Sequence, residues 1–180
     1  MNVKGIKSIK AEKLYSIEYE GFDANELVRL FQNWKDPNFL NDFFTTFTED
    51  LYSGFYPTDR IENAISDTIL EAKALSKAIR DNIDNLSGVF FPLSPADNES
   101  FPHPRCKAKG HRSKSWLRIY GINLGDNCYV VTGGAIKLTK AMGSRRHTKL
   151  ELDKLEKAKQ WLLEAEIIDN IDLENFELGL

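Results

Sequence analysis

The sequence predicts an α+β fold: a small antiparallel sheet packed against helices on one face. Three observations predict it. Strand-like alternation is confined to the N-terminus and to a stretch beginning near Ser115, helical periodicity fills the span between them, and a second amphipathic helix follows the last strand pattern.

Leu14 to Glu20, LYSIEYE, alternates apolar and polar residues and reads as a strand. Asp23 with Glu26 forms a capping-box pair, after which Leu27, Leu30, Phe31 and Trp34 recur at helical spacing. Asp36-Pro37 starts a second helix, because aspartate caps the free amides and proline suits the first helical position. Its stripe is Leu40, Phe43, Phe44, Phe47 and Leu51, a core or docking face. After Ser53-Gly54 and Pro57, Asp59 and Glu62 open a long helix whose contacts run from Ile61 to Leu86 in steps of three and four. Residues 92–104 hold four of the six prolines and read as an irregular loop.

Residues 115–122, SWLRIYGI, read as a strand with Leu117 and Ile119 on one side and Trp116, Arg118 and Tyr120 on the other. Gly125-Asp126-Asn127 supplies a turn, and CYVVT completes a hairpin. Gly133-Gly134 marks a bulge or bend before a further strand, AIKLTK, and lacks the spaced glycines and Lys-Ser/Thr pair of a phosphate loop. Thr148 with Glu151 predicts a capped final helix over Leu152, Leu155, Ala158, Leu162 and Ala165. The tail from Glu164 carries six acids and no Lys or Arg, and either covers the basic sheet or stays loose.

The 180 residues fit a single domain over 1–180, with a helical insertion at about 23–57 and an acidic tail at about 166–180. With 42% hydrophobic and 28% charged residues, the composition excludes global disorder. No apolar run suits a membrane span or a signal peptide, so a cytoplasmic protein with no membrane partner is expected. Cys106 and Cys128 read as reduced thiols rather than a disulfide framework. His103, His111 and His147 lack zinc-like spacing, so no metal and no cofactor is expected. His103 near Cys106 is a weak Cys/His pattern in a proline-rich loop.

The net charge of −3 conceals a strong asymmetry. Residues 105–149 hold eleven Lys or Arg and a single acid, Asp126, for a local charge of +10. Such a stretch in an otherwise acidic protein points to a polyanion. The candidate catalytic residues are Arg118, Lys137, Arg145, Arg146 and His147. Lys107, Lys109, Arg112, Lys114 and Lys140 are candidate RNA-binding cations, with Trp116 and Tyr120 as rings to stack on bases. His147, beside two arginines and a helix N-terminus, leans to the neutral form and a general-base role. RNA cleavage needs a base for the 2′-hydroxyl proton and cations for the phosphoryl oxygens, with no metal.

SWLRIYGI, CYVVTGGAIKLTKAM and RRHTKLELDKLEKAKQWL resemble segments of the RelE/ParE toxin superfamily, particularly its HigB-like branch. The resemblance spans roughly residues 10–22 and 58–165. It implies a RelE-like sheet and a bacterial toxin-antitoxin endoribonuclease, a hydrolase that cleaves mRNA on the ribosome. It further implies inhibition by a cognate antitoxin, of helix-turn-helix type where such a protein is encoded alongside. By this resemblance Arg118 matches the family's strand arginine, Lys137 and Lys140 its lysine segment, and Arg145, Arg146 and His147 its basic stretch before the last helix. ParE-like relatives poison DNA gyrase instead, which keeps a non-catalytic interaction protein and an RNA-binding regulator as alternatives.

Overall fold

The computed structural model describes residues 1–53, 56, 58, 60–98, 101–110, 115–139 and 145–179. In chain order these form β1 (Val3–Lys10), β2 (Leu14–Tyr19), α1 (Glu26–Asn33), α2 (Pro37–Thr46), α3 (Thr48–Leu51) and α4 (Ile61–Asp81). After α4 come β3 (Phe90–Pro92), β4 (Arg105–Lys109), β5 (Leu117–Gly125), β6 (Cys128–Ile136), α5 (Arg146–Glu164) and α6 (Asn170–Leu178), with 3-10 turns at Leu86–Gly88 and Pro95–Asn98. None of the described helices is long and apolar enough to cross a membrane.

The strands make one six-stranded sheet in the order β1-β2-β6-β5-β4-β3. It is mixed rather than purely antiparallel. β2 and β6 run parallel, Leu14 opposite Tyr129 and Ser16 opposite Val131, while every other pairing is antiparallel. Helices cover both faces, not one. Leu27, Leu30, Trp34, Leu40, Phe44 and Leu51 of α1–α3 join Ala72 and Leu75 of α4 against Leu117, Ile119 and Val131. On the opposite face Ala158 and Leu162 of α5 and Leu173 of α6 bury Ile122, Leu124, Cys128 and Val130. The reason lies in β5 and β6, whose residues are apolar on both sides and need two covers. The helices at 23–57 are therefore part of the core. The acidic tail folds as α6, capped by Asp169 accepting from Ile171 and Asp172 amides, and its Leu173 is fully buried.

Several sequence expectations hold locally. β2 and the β5–β6 hairpin form as read, the turn at Gly125-Asp126-Asn127 taking positive φ at all three residues. The Asn127 amide ties that turn to the segment just after α4 through the Leu86 amide at 2.5 Å and the Ile83 carbonyl at 3.1 Å. Asp36 caps α2, accepting from Asn38 N at 2.9 Å with Pro37 at the first position. Elsewhere the caps differ. Asn25, not Asp23, caps α1; the proposed cap Asp59 lies outside the described residues. α5 begins at Arg146, one turn before the Thr148–Glu151 pair, so Thr148 turns its hydroxyl onto the Arg145 carbonyl and Glu151 is left for another task.

AIKLTK is not a separate strand. β6 runs through Gly133-Gly134 to Ile136, and Thr132 is the extra residue of a bulge, since Gly121 faces Val131 while Tyr120 faces Gly133. The bulge reverses the facing of everything after it. Gly133 and Ala135 turn to the α5 side, Gly134 and Ile136 to the α1 side. The absent side chains matter here. A Cβ on Gly133 would lie 2.0 Å from Glu151 Oε2, and one on Gly134 would lie 2.7 Å from both the Arg118 carbonyl and Leu30 Cδ1.

Candidate functional site

Lys107 on β4 lies opposite Tyr120 on β5, Lys109 opposite Arg118, and Arg118 opposite Ala135 on β6. Directly paired residues share a face, so Lys107, Lys109 and Arg118 all point to the α5 side. Lys137 follows Ala135 by two residues beyond the bulge and joins them, its amide still held by the Trp116 carbonyl at 2.7 Å. Burial and the neighbouring charges of Arg118 and Lys109 lower the Lys107 amine; burial, Arg118 and Lys107 do the same to Lys137. Arg118 acts on both lysines and Lys107 acts on Lys137, so the three side chains lie within electrostatic reach. Lys107 Nζ donates to the Leu93 carbonyl at 2.8 Å. One guanidinium nitrogen of Arg118 donates to the carbonyls of Ser115 at 2.8 Å and Leu117 at 2.7 Å. Carbonyl oxygens thus position the Lys107 and Arg118 charges.

Beneath the cluster, Tyr120 is completely buried against Leu155 and Ala135, and its hydroxyl has no hydrogen-bond partner among the described residues. Burial pushes that phenol far above its ordinary range, so it is a neutral donor. Tyr120 and Trp116 present no ring for stacking on a base. Trp116 belongs to the opposite core, edge-on to Phe44 and Tyr56, with Nε1 donating to Thr68 Oγ1 at 2.9 Å. It precedes the ladder, where strand alternation does not apply. Arg112, Lys114 and Lys140 lie outside the described residues.

The basic run at the start of α5 divides. Arg145 is committed to Asp50 of α3 through two nitrogens at 2.5 and 2.7 Å, and that pairing holds the nearly buried Asp50 carboxyl below its usual range. Arg146 is exposed. His147 is half-buried, packed at the edges of Phe43 and Phe47, and its Nε2 lies 3.1 Å from the Ile136 carbonyl. A carbonyl only accepts, so Nε2 carries the proton and Nδ1 holds a lone pair, which has no partner among the described residues. Burial, with Arg145 adding to it, keeps the imidazole pKa below 6.5. The expected neutral form and the expected cause, neighbouring positive charge, are both present, but burial dominates.

A second constellation escaped the sequence reading. The described ladder between β2 and β6 ends at Ser16 and Val131, and side chains then satisfy the outward edge of β6. Tyr19 Oη donates to the Thr132 carbonyl at 2.6 Å, the Gly134 amide donates to Glu151 Oε2 at 2.8 Å, and His147 donates to Ile136. Three side chains thus occupy the place of a neighbouring strand. Glu151 and Glu26 both hold the buried Lys154 ammonium, Glu151 at 2.9 Å, and Arg29 covers the far side of Glu26 at 2.6 Å. Burial raises the Glu151 carboxyl in spite of Lys154 and the Gly134 amide. This network floors a cavity of about 640 Å³ whose walls include Phe39, Phe43, Phe47 and His147. In the sequence Glu151 reads as the capping-box partner of Thr148, and Lys154 carries no signal of its own. The signal in the sequence was Gly133-Gly134, two missing side chains where a helix presses on a strand.

Cys106 and Cys128 are both buried and free, and burial pushes the Cys106 thiol far above its ordinary range, so it is not a nucleophile. His103, buried, bonds the Ile167 carbonyl at 2.7 Å and fixes the loop to the α5–α6 junction.

The class these observations define is a mixed α+β protein, with a six-stranded sheet between two helical layers and a cationic patch on one sheet face. No family profile, curated protein or solved structure matches the chain.

Proposed function

We propose that this protein is a metal-independent endoribonuclease of the toxin type, using the cationic sheet face to hold RNA. The observation that carries the reading is that Lys107 on β4, Arg118 on β5 and Lys137 just past β6 share one face of the sheet, with Lys107 and Arg118 positioned by carbonyls and the buried, unpartnered Tyr120 hydroxyl within electrostatic reach of Arg118. Half-buried lysines whose ammonium form is disfavoured by burial and by a neighbouring guanidinium gain from a phosphate beside them. In the reaction, a base removes the 2′-hydroxyl proton, O2′ bonds to phosphorus, and the P–O5′ bond breaks as O5′ takes a proton. The products are a 2′,3′-cyclic phosphate and a 5′-hydroxyl end. The cations stabilise the charge growing on the phosphoryl oxygens. The Nδ1 lone pair of His147 is the base candidate, and Arg145 leaves the catalytic set for a structural one. Within this reading the target is mRNA at the ribosome and the natural inhibitor is an antitoxin protein, as the sequence resemblance implies.

The test is induction in a bacterial host with growth curves and mapping of new mRNA 5′ ends, alongside the Lys107→Ala/Arg118→Ala/Lys137→Ala and His147→Ala variants. Arrest with new ends that vanish in the triple variant supports the reading, and loss in His147→Ala assigns the base. Arrest without new RNA ends overturns it and redirects the search to gyrase or another protein target. One observation favours a second reading, binding without cleavage: His147 Nδ1 is enclosed rather than open to substrate. Its signature is RNA affinity that falls steeply with salt while the RNA stays intact.

A further inference from the structure

Apart from the cationic face, the molecule carries two surfaces of complementary character on either side of one turn. The first is a groove of about 650 Å³ between the end of β1, α1 and the C-terminal part of α4. Its floor is apolar, with Ile9 40% and Val28 39% exposed and Phe31 beside them. Its charged lining residues are Lys10, Lys35 and Arg80, all cationic, and Lys35 Nζ stands 5.3 Å from the Phe31 ring centre. The second surface is the outward side of α6. Leu173 points into the core, which turns Ile171 and Leu178 outward on one stripe, 58% and 72% exposed, with Glu174 between them. Few large apolar side chains of the described chain are more exposed, and α6 carries no Lys or Arg.

We infer that the groove of one copy receives α6 of a second copy, forming a closed two-fold dimer. The apolar stripe of α6 matches the apolar floor, and the Glu174 carboxylate on that stripe matches the rim cations. Both surfaces reach one turn. Glu177 of α6 accepts from the Tyr15 hydroxyl at 3.0 Å, and that hydroxyl accepts from the Glu12 amide at 3.0 Å, so the helix ends beside the β1–β2 turn. Lys10, on the groove's rim, enters the same turn. A two-fold axis near the turn brings each helix to the other copy's groove and leaves neither surface open, whereas a head-to-tail arrangement grows without end. Two short helices in two grooves make a small interface, so the dimer is of moderate affinity and weakens with salt.

The experiment is sedimentation equilibrium on the full chain up to roughly 200 µM, a range suited to an interface of this class. Wild type is expected to dimerise. Lys35→Glu/Arg80→Glu and Glu174→Lys each weaken the dimer at least about tenfold, and all three substitutions in one chain restore it, because the charges match again. Circular dichroism checks that each variant is folded. A monomeric wild type throughout, a dimer indifferent to either reversal, or a folded three-substitution chain that stays monomeric each overturns the proposal. If the wild type is monomeric while a separate acidic amphipathic peptide binds and protects the groove, the occupant is a different protein and the self-association is wrong.

Discussion

Lys154 holds together elements far apart in sequence, and replacing it with methionine tests the energetics of the buried network. The ammonium is nearly enclosed, bonded to Glu26 of α1 and Glu151 of its own helix, and lies 5.2 Å from the Tyr19 ring centre. Lys154→Met keeps the volume and removes only the charge. Breaking a buried ion pair from one side costs about 3–5 kcal/mol, because the partner stays buried and uncompensated. Here Glu26 keeps Arg29 and Glu151 keeps the Gly134 amide, which puts the expected loss near the lower end, about 3 kcal/mol. With a urea slope of about 2 kcal/mol per molar, the unfolding midpoint drops by roughly 1.5 M. A pH signature accompanies the loss. Burial already raises the Glu151 carboxyl above 4.5 in the folded state, and losing Lys154 raises it further. A carboxyl raised on folding destabilises above its folded pKa, so the deficit of the variant shrinks as pH falls through the window above 4.5. Lys154→Met/Glu151→Gln recovers most of the lost stability at pH 7. A loss below about 0.5 kcal/mol, the level of an exposed pair, or a deficit that does not change with pH refutes this account of the network.

Two further predictions follow from positions on or near β6. Gly134→Ala puts a methyl against the Arg118 carbonyl as well as Leu30, and backbone cannot rotate aside, so about 1–3 kcal/mol is lost; thermal unfolding reads it as a fall of several degrees. His103 and His147 are both held below 6.5 by burial, so the unfolded chain binds protons first as pH drops. Stability is therefore present above 6.5 and declines as pH falls from there, and chemical unfolding of His147→Asn is expected to show a shallower slope across pH 6.5 to 5 than wild type. An unchanged slope assigns the decline to other groups.

How much of this was legible depends on range. α4 was readable because its apolar steps persist over many turns, and the β5–β6 hairpin because turn residues and β-branched residues agree. β1 was not, because VKGIKSIK places lysine at every third position and offers no clean alternation. The parallel pairing of β2 with β6 left no local trace, since it joins residues more than a hundred positions apart. Arg118, Lys107, Lys109 and Lys137 were picked out by charge and do share a face, but only the Thr132 bulge, an unpaired residue in an unremarkable Val-Val-Thr run, brings Lys137 round to that side. Tyr120 was misread because alternation assigns a side of the strand and that side is covered by α5, and Trp116 because it precedes the ladder and turns into the opposite core. Arg145 looked like a ligand for phosphate, and nothing near it in sequence announces that Asp50 is its partner.

The parallel pair also sets an order of assembly during synthesis. β1 and β2 are made long before β6 and can close on each other at once, yet the inner edge of β2 has no neighbour until Tyr129–Val131 have been made. Through most of translation the nascent chain therefore carries a two-stranded ribbon with one open edge, the arrangement most prone to pair with another chain. Lys4, Lys7 and Lys10, all exposed along the outer strand, give that waiting ribbon a repulsive flank. A chain that stops short of β6 keeps the open edge for good, so prematurely terminated copies are the ones destined for aggregates.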